Sequence, residues 1–169
     1  RGFLRSAEVA AGLWPREAMI GREIAGRLAG MVGFGGTARQ AAARLAALGM
    51  CIAAYDPLLP EGHAAWGTAQ RMSLEALLAN ADVVSLHVPL TPQTRHMIDA
   101  GKLSLMQRHA VLINAARGGV VDEAALVAAL KAGALGGAAL DVFAHEPLDG
   151  AHGALFADVP NLILTPHIA

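Results

Sequence analysis

Residues 28–38 read Leu28-Ala29-Gly30-Met31-Val32-Gly33-Phe34-Gly35-Gly36-Thr37-Ala38, an apolar run that passes into a helical pattern through closely spaced glycines. Gly33, Gly35 and Ala38 fit the G-x-G-x-x-G/A dinucleotide fingerprint, in which the first glycine makes a tight turn and the second lets the backbone approach a pyrophosphate. The third position allows helix and strand to pack closely. Amides that open the following helix face such an anion, aided by the positive end of the helix dipole. The chain has 19 Gly, so the pattern taken alone also fits a glycine-rich strand-to-helix turn with no ligand.

Outward from the turn, residues 28–32 predict a strand and 37–48 a helix that Gly49 stops. Residues 50–55 form an apolar run too short for a typical helix, bounded by Gly49 and Asp56-Pro57, and predict a buried parallel strand. Asp56 follows the turn by roughly 20 residues, the spacing at which an acidic residue on the second strand accepts hydrogen bonds from the adenosine ribose. A carboxylate there repels a 2'-phosphate, which favours NAD over NADP. Asp56 also suits the opening of an Asp-Pro turn, and the two roles are compatible.

Further on, the expectations are a helix over 73–79 capped by Ser73 and a third strand over 82–88. A Pro-rich loop over 90–94, a helical turn over 102–106 and a strand over 110–114 come next. The chain then continues through a glycine-containing loop over 116–119, a helix over 122–132 with Asp122 and Glu123 at its positive end, and strands over 135–141 and 161–164. His87 reads as a satisfied core or strand-end histidine. Residues 143–160 read as one long loop, of the kind that is usually functional. Ahead of the turn, residues 6–28 predict a helix, a break at Trp14-Pro15 and a connector. Trp14 and Met19 fit a contact with a second subunit or packing on their own domain.

Strands alternating with helices, most of them continuous apolar runs, predict a doubly wound α/β fold whose parallel sheet is covered on both faces. The length suits one nucleotide-binding domain over 28–169 preceded by a helix and connector over 1–27. A net charge of -1 without a basic run excludes a nucleic-acid surface. Lys131 and Asp141 interrupt the most apolar region, so no membrane span is expected. Cys51 is the only cysteine, which leaves no disulfide within the chain, suits a reducing cytoplasm and predicts a buried structural thiol. No metal site is expected. The chain opens on Arg1 without a secretory signal and reads as a piece of a longer protein.

In an open α/β sheet ligands bind beyond the carboxyl ends of the strands. That rule selects the turn at 33–37, Asp56, Val88-Pro89, residues 115–117, residues 141–146 and residues 165–167. Arg117 offers a planar fork for a carboxylate. His167 can give a proton to a carbonyl or take one from a hydroxyl, and Glu146 can orient the imidazole and favour its charged form. This set suits hydride chemistry on a 2-oxo or 2-hydroxy acid, with nicotinamide as the hydride carrier.

The stretches Val-Gly-Phe-Gly-Gly-Thr-Ala, Asp-Val-Val-Ser-Leu-His-Val-Pro-Leu-Thr, Ile-Asn-Ala-Ala-Arg-Gly-Gly-Val-Val-Asp, Ala-Leu-Asp-Val-Phe-Ala-His-Glu-Pro and Thr-Pro-His-Ile-Ala together resemble the D-isomer-specific 2-hydroxyacid dehydrogenases, the family of phosphoglycerate dehydrogenase. The resemblance covers nearly the whole chain. It implies that Arg117, Glu146 and His167 match the family's catalytic arginine, glutamate and histidine. It also implies that Gly33, Gly35, Gly36 and Thr37 lie at the pyrophosphate and Asp56 at the ribose. Val88, Pro89, Ala115, Ala116, Arg117, Asp141 and His167 would line the NAD site, with Asp141 meeting the nicotinamide carboxamide. Ala38 stands where the family more often has a third glycine.

The family's substrate domain, built from segments before and after the nucleotide domain, is expected to be missing from this piece. By itself the piece should therefore bind NAD weakly and turn over little. A homodimer is implied as well. Two alternatives stay open: a relative acting on formate or phosphite, against whose formate version Glu146 counts, and an NAD-sensing binding protein resembling the corepressors on this fold.

Overall fold

Seven parallel strands line up in the order β3-β2-β1-β4-β5-β6-β7. They are β1 (Leu28–Val32), β2 (Cys51–Tyr55), β3 (Gln70–Arg71), β4 (Val83–Leu86), β5 (Val111–Asn114), β6 (Gly137–Leu140) and β7 (Leu162–Leu164). The computed structural model describes residues 5–169, except for the side chains of residues 18 and 19, so the expectation for Met19 lies outside what is described. The helices are α1 (Ser6–Ala10), α2 (Arg16–Met19), α3 (Gly36–Ala47), α4 (Leu74–Asn80), α5 (Ala100–Leu105), α6 (Glu123–Lys131) and α7 (Gly150–Gly153). This is the doubly wound α/β fold that the alternation predicts.

Helix starts follow the side-chain chemistry. Ser73, Asp99, Asp122 and Asp149 each precede a helix and accept a hydrogen bond from a backbone amide three residues on, an arrangement worth about 1 kcal/mol per helix. Opposite the strand carboxyl ends, the Asp82 carboxylate accepts the Leu28 amide at 2.9 Å and pairs with His109 at 2.8 Å. This ties the starts of β1 and β4 to the segment entering β5.

The core lies mainly on one face. Leu77 and Leu78 of α4, Leu103 of α5 and Leu126 and Leu130 of α6 bury Val32, Val84, Leu86, Leu112 and Leu140 of the sheet. On the other face α3 covers only β1 and β2, where Ala38 and Ala42 meet Met31 and Ala54.

Helices flank both faces as expected, but among the described residues the α3 face is covered only in part. Val83, Ser85, Val111 and Ile113, which register places on the α3 side, are only partly buried, and Ile163 is 58% exposed. Cys51 is likewise exposed and not a buried thiol. It is the first residue of β2, at the amino edge of the sheet, between the buried Met50 and the buried pair Ala53 and Ala54.

Two further corrections concern elements. Gln70 and Arg71 add a short edge strand that two polar residues do not announce, so the strand expected third is β4. The stretch 143–160 is not a plain loop but contains α7 and a single 3-10 turn over Ala154–Phe156, whose Phe156 packs edge-on against Phe143. In the N-terminal segment α1 ends at Ala10, ahead of the expected break at Trp14-Pro15, and the short α2 follows Pro15 where a connector is expected; Trp14 is 79% exposed.

Candidate active site

Strand order reverses between β1 and β4: the chain leaves β1 toward β2 and returns on the other side of β1. The crevice beyond their carboxyl ends is where doubly wound sheets bind ligands. Gly33 forms its floor, with φ +84, and a Cβ there would meet the His87 carbonyl oxygen at 2.8 Å and Val88 Cγ1 at 2.9 Å. Only glycine suits both the conformation and the approach.

Gly35 caps α3 with extended backbone, and Cβ atoms on Gly35 or Gly36 would meet nothing within 4 Å. The start of α3 thus borders open space at both glycines. Ala38 is fully buried against the sheet, the close helix-strand packing that the third fingerprint position requires.

Asp56 closes the crevice on the β2 side. Its Oδ2 accepts the Phe34 amide at 2.8 Å and its Oδ1 accepts the Leu58 amide at 2.9 Å. The carboxylate therefore braces the glycine turn and opens the Asp-Pro turn together. His87, on the β4 side, is mostly buried; burial pushes its imidazole below the usual value. It sits 3.0 Å from Ser85 Oγ, which agrees with the reading of a satisfied strand-end histidine. Val88 is half-buried and Pro89 exposed, and the Pro89 carbonyl accepts Thr94 Oγ1 at 2.6 Å.

Three strand ends hold the polar residues. After β7 the chain turns around the buried Asp141 carboxylate, which accepts Thr165 Oγ1 at 2.5 Å, the Ile168 amide at 3.0 Å and the Ala169 amide at 2.8 Å. Those bonds, Thr165 foremost, hold its carboxyl below the ordinary range. Asp141 thereby fixes the turn that presents His167, whose φ of 53 lies in the left-handed region, where histidine is over-represented among non-glycine residues.

His167 Nδ1 lies 2.8 Å from Glu146 Oε2, and Glu146 Oε1 accepts the Phe143 amide at 2.8 Å. The His167 contact, then the Phe143 amide, lower the Glu146 carboxyl from its usual value. Glu146 and His167 line a cleft of about 590 Å³ with Phe143, Pro147, Leu148 and Leu164.

Arg117 stands apart from this pair. It is exposed, and its guanidinium donates to the Ala116 carbonyl at 2.5 Å, with no hydrogen bond or ion pair to Glu146 or His167. The loop beneath it is firmly built. Asn114, 2% exposed, donates to the Arg117 carbonyl at 3.0 Å and accepts the Ala116 amide at 3.1 Å, leaving Ala115 exposed between them.

Sequence reasoning missed Asn114, and an amide ending an apolar strand was the available signal. It also missed Gly118, where the Arg117 loop meets the backbone of Phe143 with no room for a Cβ. A third omission is Glu123, read only as a helix-start charge, which turns away to accept the Ala144 amide. Burial raises its carboxyl against that bond.

Residues 3–169 match the family model described as D-isomer specific 2-hydroxyacid dehydrogenase, NAD binding domain. The chain belongs to this family. Among its curated relatives, the (S)-sulfolactate dehydrogenase of Chromohalobacter salexigens is 51% identical over 168 residues, 99% of this chain and 54% of the relative. The glycerate dehydrogenase of Methylorubrum extorquens is 48% identical over 147 residues, 87% of this chain and 44% of the relative. A crystal structure of D-lactate dehydrogenase with NAD+ from Lactobacillus jensenii superposes with TM-score 0.84 at 31% identity, covering 97% of this chain and 52% of that one.

The chain thus spans about half the length of the curated relatives it matches. The family's cofactor is NAD. The glycine turn fits it: the space beside Gly35 and Gly36 at the start of α3 would suit a pyrophosphate, and the Asp56 carboxylate at the end of β2 would suit a ribose.

Proposed function

We propose that the protein to which this chain contributes moves a hydride between NAD and C2 of a D-2-hydroxy acid or its 2-oxo acid. The observation that carries the reading is the His167–Glu146 pair, 2.8 Å apart at the strand carboxyl ends of an NAD-binding fold. Bound nicotinamide supplies or accepts the hydride. His167 gives a proton to the substrate carbonyl oxygen during reduction and takes it from the hydroxyl during oxidation. Glu146 holds the imidazole by Nδ1, leaving Nε2 for the substrate. Arg117 turns its fork from the Ala116 carbonyl to the substrate carboxylate. Gly33, Gly35, Gly36 and Thr37 receive the pyrophosphate and Asp56 the ribose, while Val88, Pro89, Ala115, Ala116 and Asp141 line the remainder of the cofactor site. Relatives that act on sulfolactate and glycerate by name support a small, acidic 2-hydroxy acid as substrate.

The test is a panel of 2-oxo acids incubated with the full-length protein and NADH, followed by nicotinamide absorbance. Oxidation of NADH with at least one small acid is expected, and no turnover of any member overturns the reading. In the same assay Asp56→Ala should lower the preference for NADH over NADPH by about tenfold, since each 1.4 kcal/mol of lost ribose recognition and relieved phosphate repulsion is a factor of ten. An unchanged ratio removes the ribose contact.

Glu146→Gln should lower turnover and remove the part of its acid-side fall that protonation of this carboxylate causes. The sign follows from the lowered Glu146 carboxyl: the carboxylate persists above its depressed folded value and is neutralised as pH falls through that value. A pH profile identical to that of the unsubstituted protein would disprove the coupling.

The helix and connector over 1–27 are assigned to a homodimer contact, supported by exposure of Leu13 at 56%, Trp14 at 79% and Ile20 at 62%. A cytoplasmic location accords with NAD chemistry, and no helix among the described residues is long and apolar enough to cross a membrane.

A further inference from the structure

His145, Asp149 and His152 converge on the outer side of the segment that carries Glu146. The Asp149 carboxylate lies 2.8 Å from His152 Nδ1 and 3.8 Å from His145 Nε2. The two imidazoles stack with 3.8 Å between ring centroids and 14° between planes. One ligand atom from each residue falls within 4.8 Å of the others, and this is the only such cluster among the described residues. All three side chains are about half exposed, so an ion in solution reaches them without any opening of the fold. Neither proton transfer at His167 nor the cofactor crevice uses these residues.

We propose that His145, Asp149 and His152 form a binding site for a divalent transition metal of the zinc class. Two imidazole nitrogens and one carboxylate oxygen are the donors that zinc, cobalt, nickel and copper favour, whereas magnesium and calcium take oxygen-rich sets. Zinc binds such donors at about 2.0–2.2 Å in tetrahedral geometry, with a fourth position for water. Ligand atoms in that geometry stand roughly 3.3 Å apart, so the trio needs to draw in by on the order of 1 Å, within reach of exposed rings turning about the Cβ–Cγ bond. The metal replaces the proton between His152 and Asp149.

The proposed site departs from the sequence expectation of no metal site, and the chain hides it for a physical reason. The three residues lie in a stretch that reads as loop, and α7 together with the turn before it brings positions 145, 149 and 152 to one side. His145 is bonded to Glu146, so an occupied site fastens the backbone on either side of the catalytic carboxylate.

The site is tested on the full-length protein, stripped of metal and of any affinity tag, by titration with Co²⁺ as spectroscopic probe and Zn²⁺ as competitor. One equivalent of Co²⁺ with the intense visible bands of a tetrahedral ion, displaced by Zn²⁺, is expected. His145→Ala and His152→Ala should each weaken binding at least tenfold while leaving metal-free turnover within about twofold. Absence of binding up to millimolar Co²⁺ overturns the proposal. Binding that survives both substitutions also overturns it, and its loss in His167→Ala would place the ion on the catalytic pair instead.

Discussion

Replacing His167 with alanine is expected to lower turnover of the full-length protein by about 10²- to 10⁴-fold, the usual contribution of a positioned general acid-base group. NADH affinity should stay within about threefold, because the proposed phosphate site is the glycine turn at the other end of the sheet's crevice. The loss should fall on kcat and on kcat/KM together, the signature of an interaction made in the transition state. Two features focus the expectation on this residue. Its imidazole already has an orienting carboxylate at 2.8 Å, and its backbone is held by the three bonds that Asp141 accepts from 165, 168 and 169. Stopped-flow measurement of NADH oxidation, with fluorescence titration of NADH, separates chemistry from binding. Near-normal turnover would sink the assignment.

Gly118→Ala should cost both stability and activity. An added Cβ would lie 1.7 Å from the Phe143 carbonyl oxygen, 2.1 Å from its carbon and 2.8 Å from the Ala144 nitrogen. All three are backbone atoms, so no side-chain rotation relieves the clash, and the loops bearing Arg117 and Glu146 must part. Overpacking of this kind costs about 1–3 kcal/mol. A displacement of about 1 Å between catalytic loops can cost on the order of 100-fold in rate. Chemical denaturation and steady-state kinetics read the two effects. Gly35→Ala is the counterpart: its Cβ meets nothing within 4 Å, so melting should stay near that of the unsubstituted protein while NADH binding weakens. A Gly118→Ala protein with unchanged melting and turnover would show that the close approach does not constrain the site.

These two glycines illustrate the limits of reading the chain alone. Gly33 was legible because part of its role is local: a positive φ and a turn between strand and helix leave a pattern within a few residues, whereas its approach to His87 does not. Gly118 was not, because its constraint comes from Phe143, a partner distant in sequence. The same distinction applies to the carboxylates. Asp56 announces itself by its place after an apolar run, and the structure adds the Phe34 amide to its partners. Glu123 looks like any acidic residue at a helix start, yet it braces the Ala144 amide on the segment leading to Glu146.

The sequence by itself determined the strand-helix alternation, the helix starts at Ser73 and Asp122, the glycine turn and the residues at the strand ends. Each rests on hydrophobic periodicity or on a hydrogen bond between near neighbours, and such interactions are written in short windows of sequence. Tertiary structure alone decided which of these residues meet. It joined His167 to Glu146 and kept Arg117 apart from both. It left half of one sheet face and Cys51 exposed, and it folded the supposed loop into α7, bringing His145 beside His152. Those outcomes depend on strand order and on what packs over each face, which are set by contacts between distant segments.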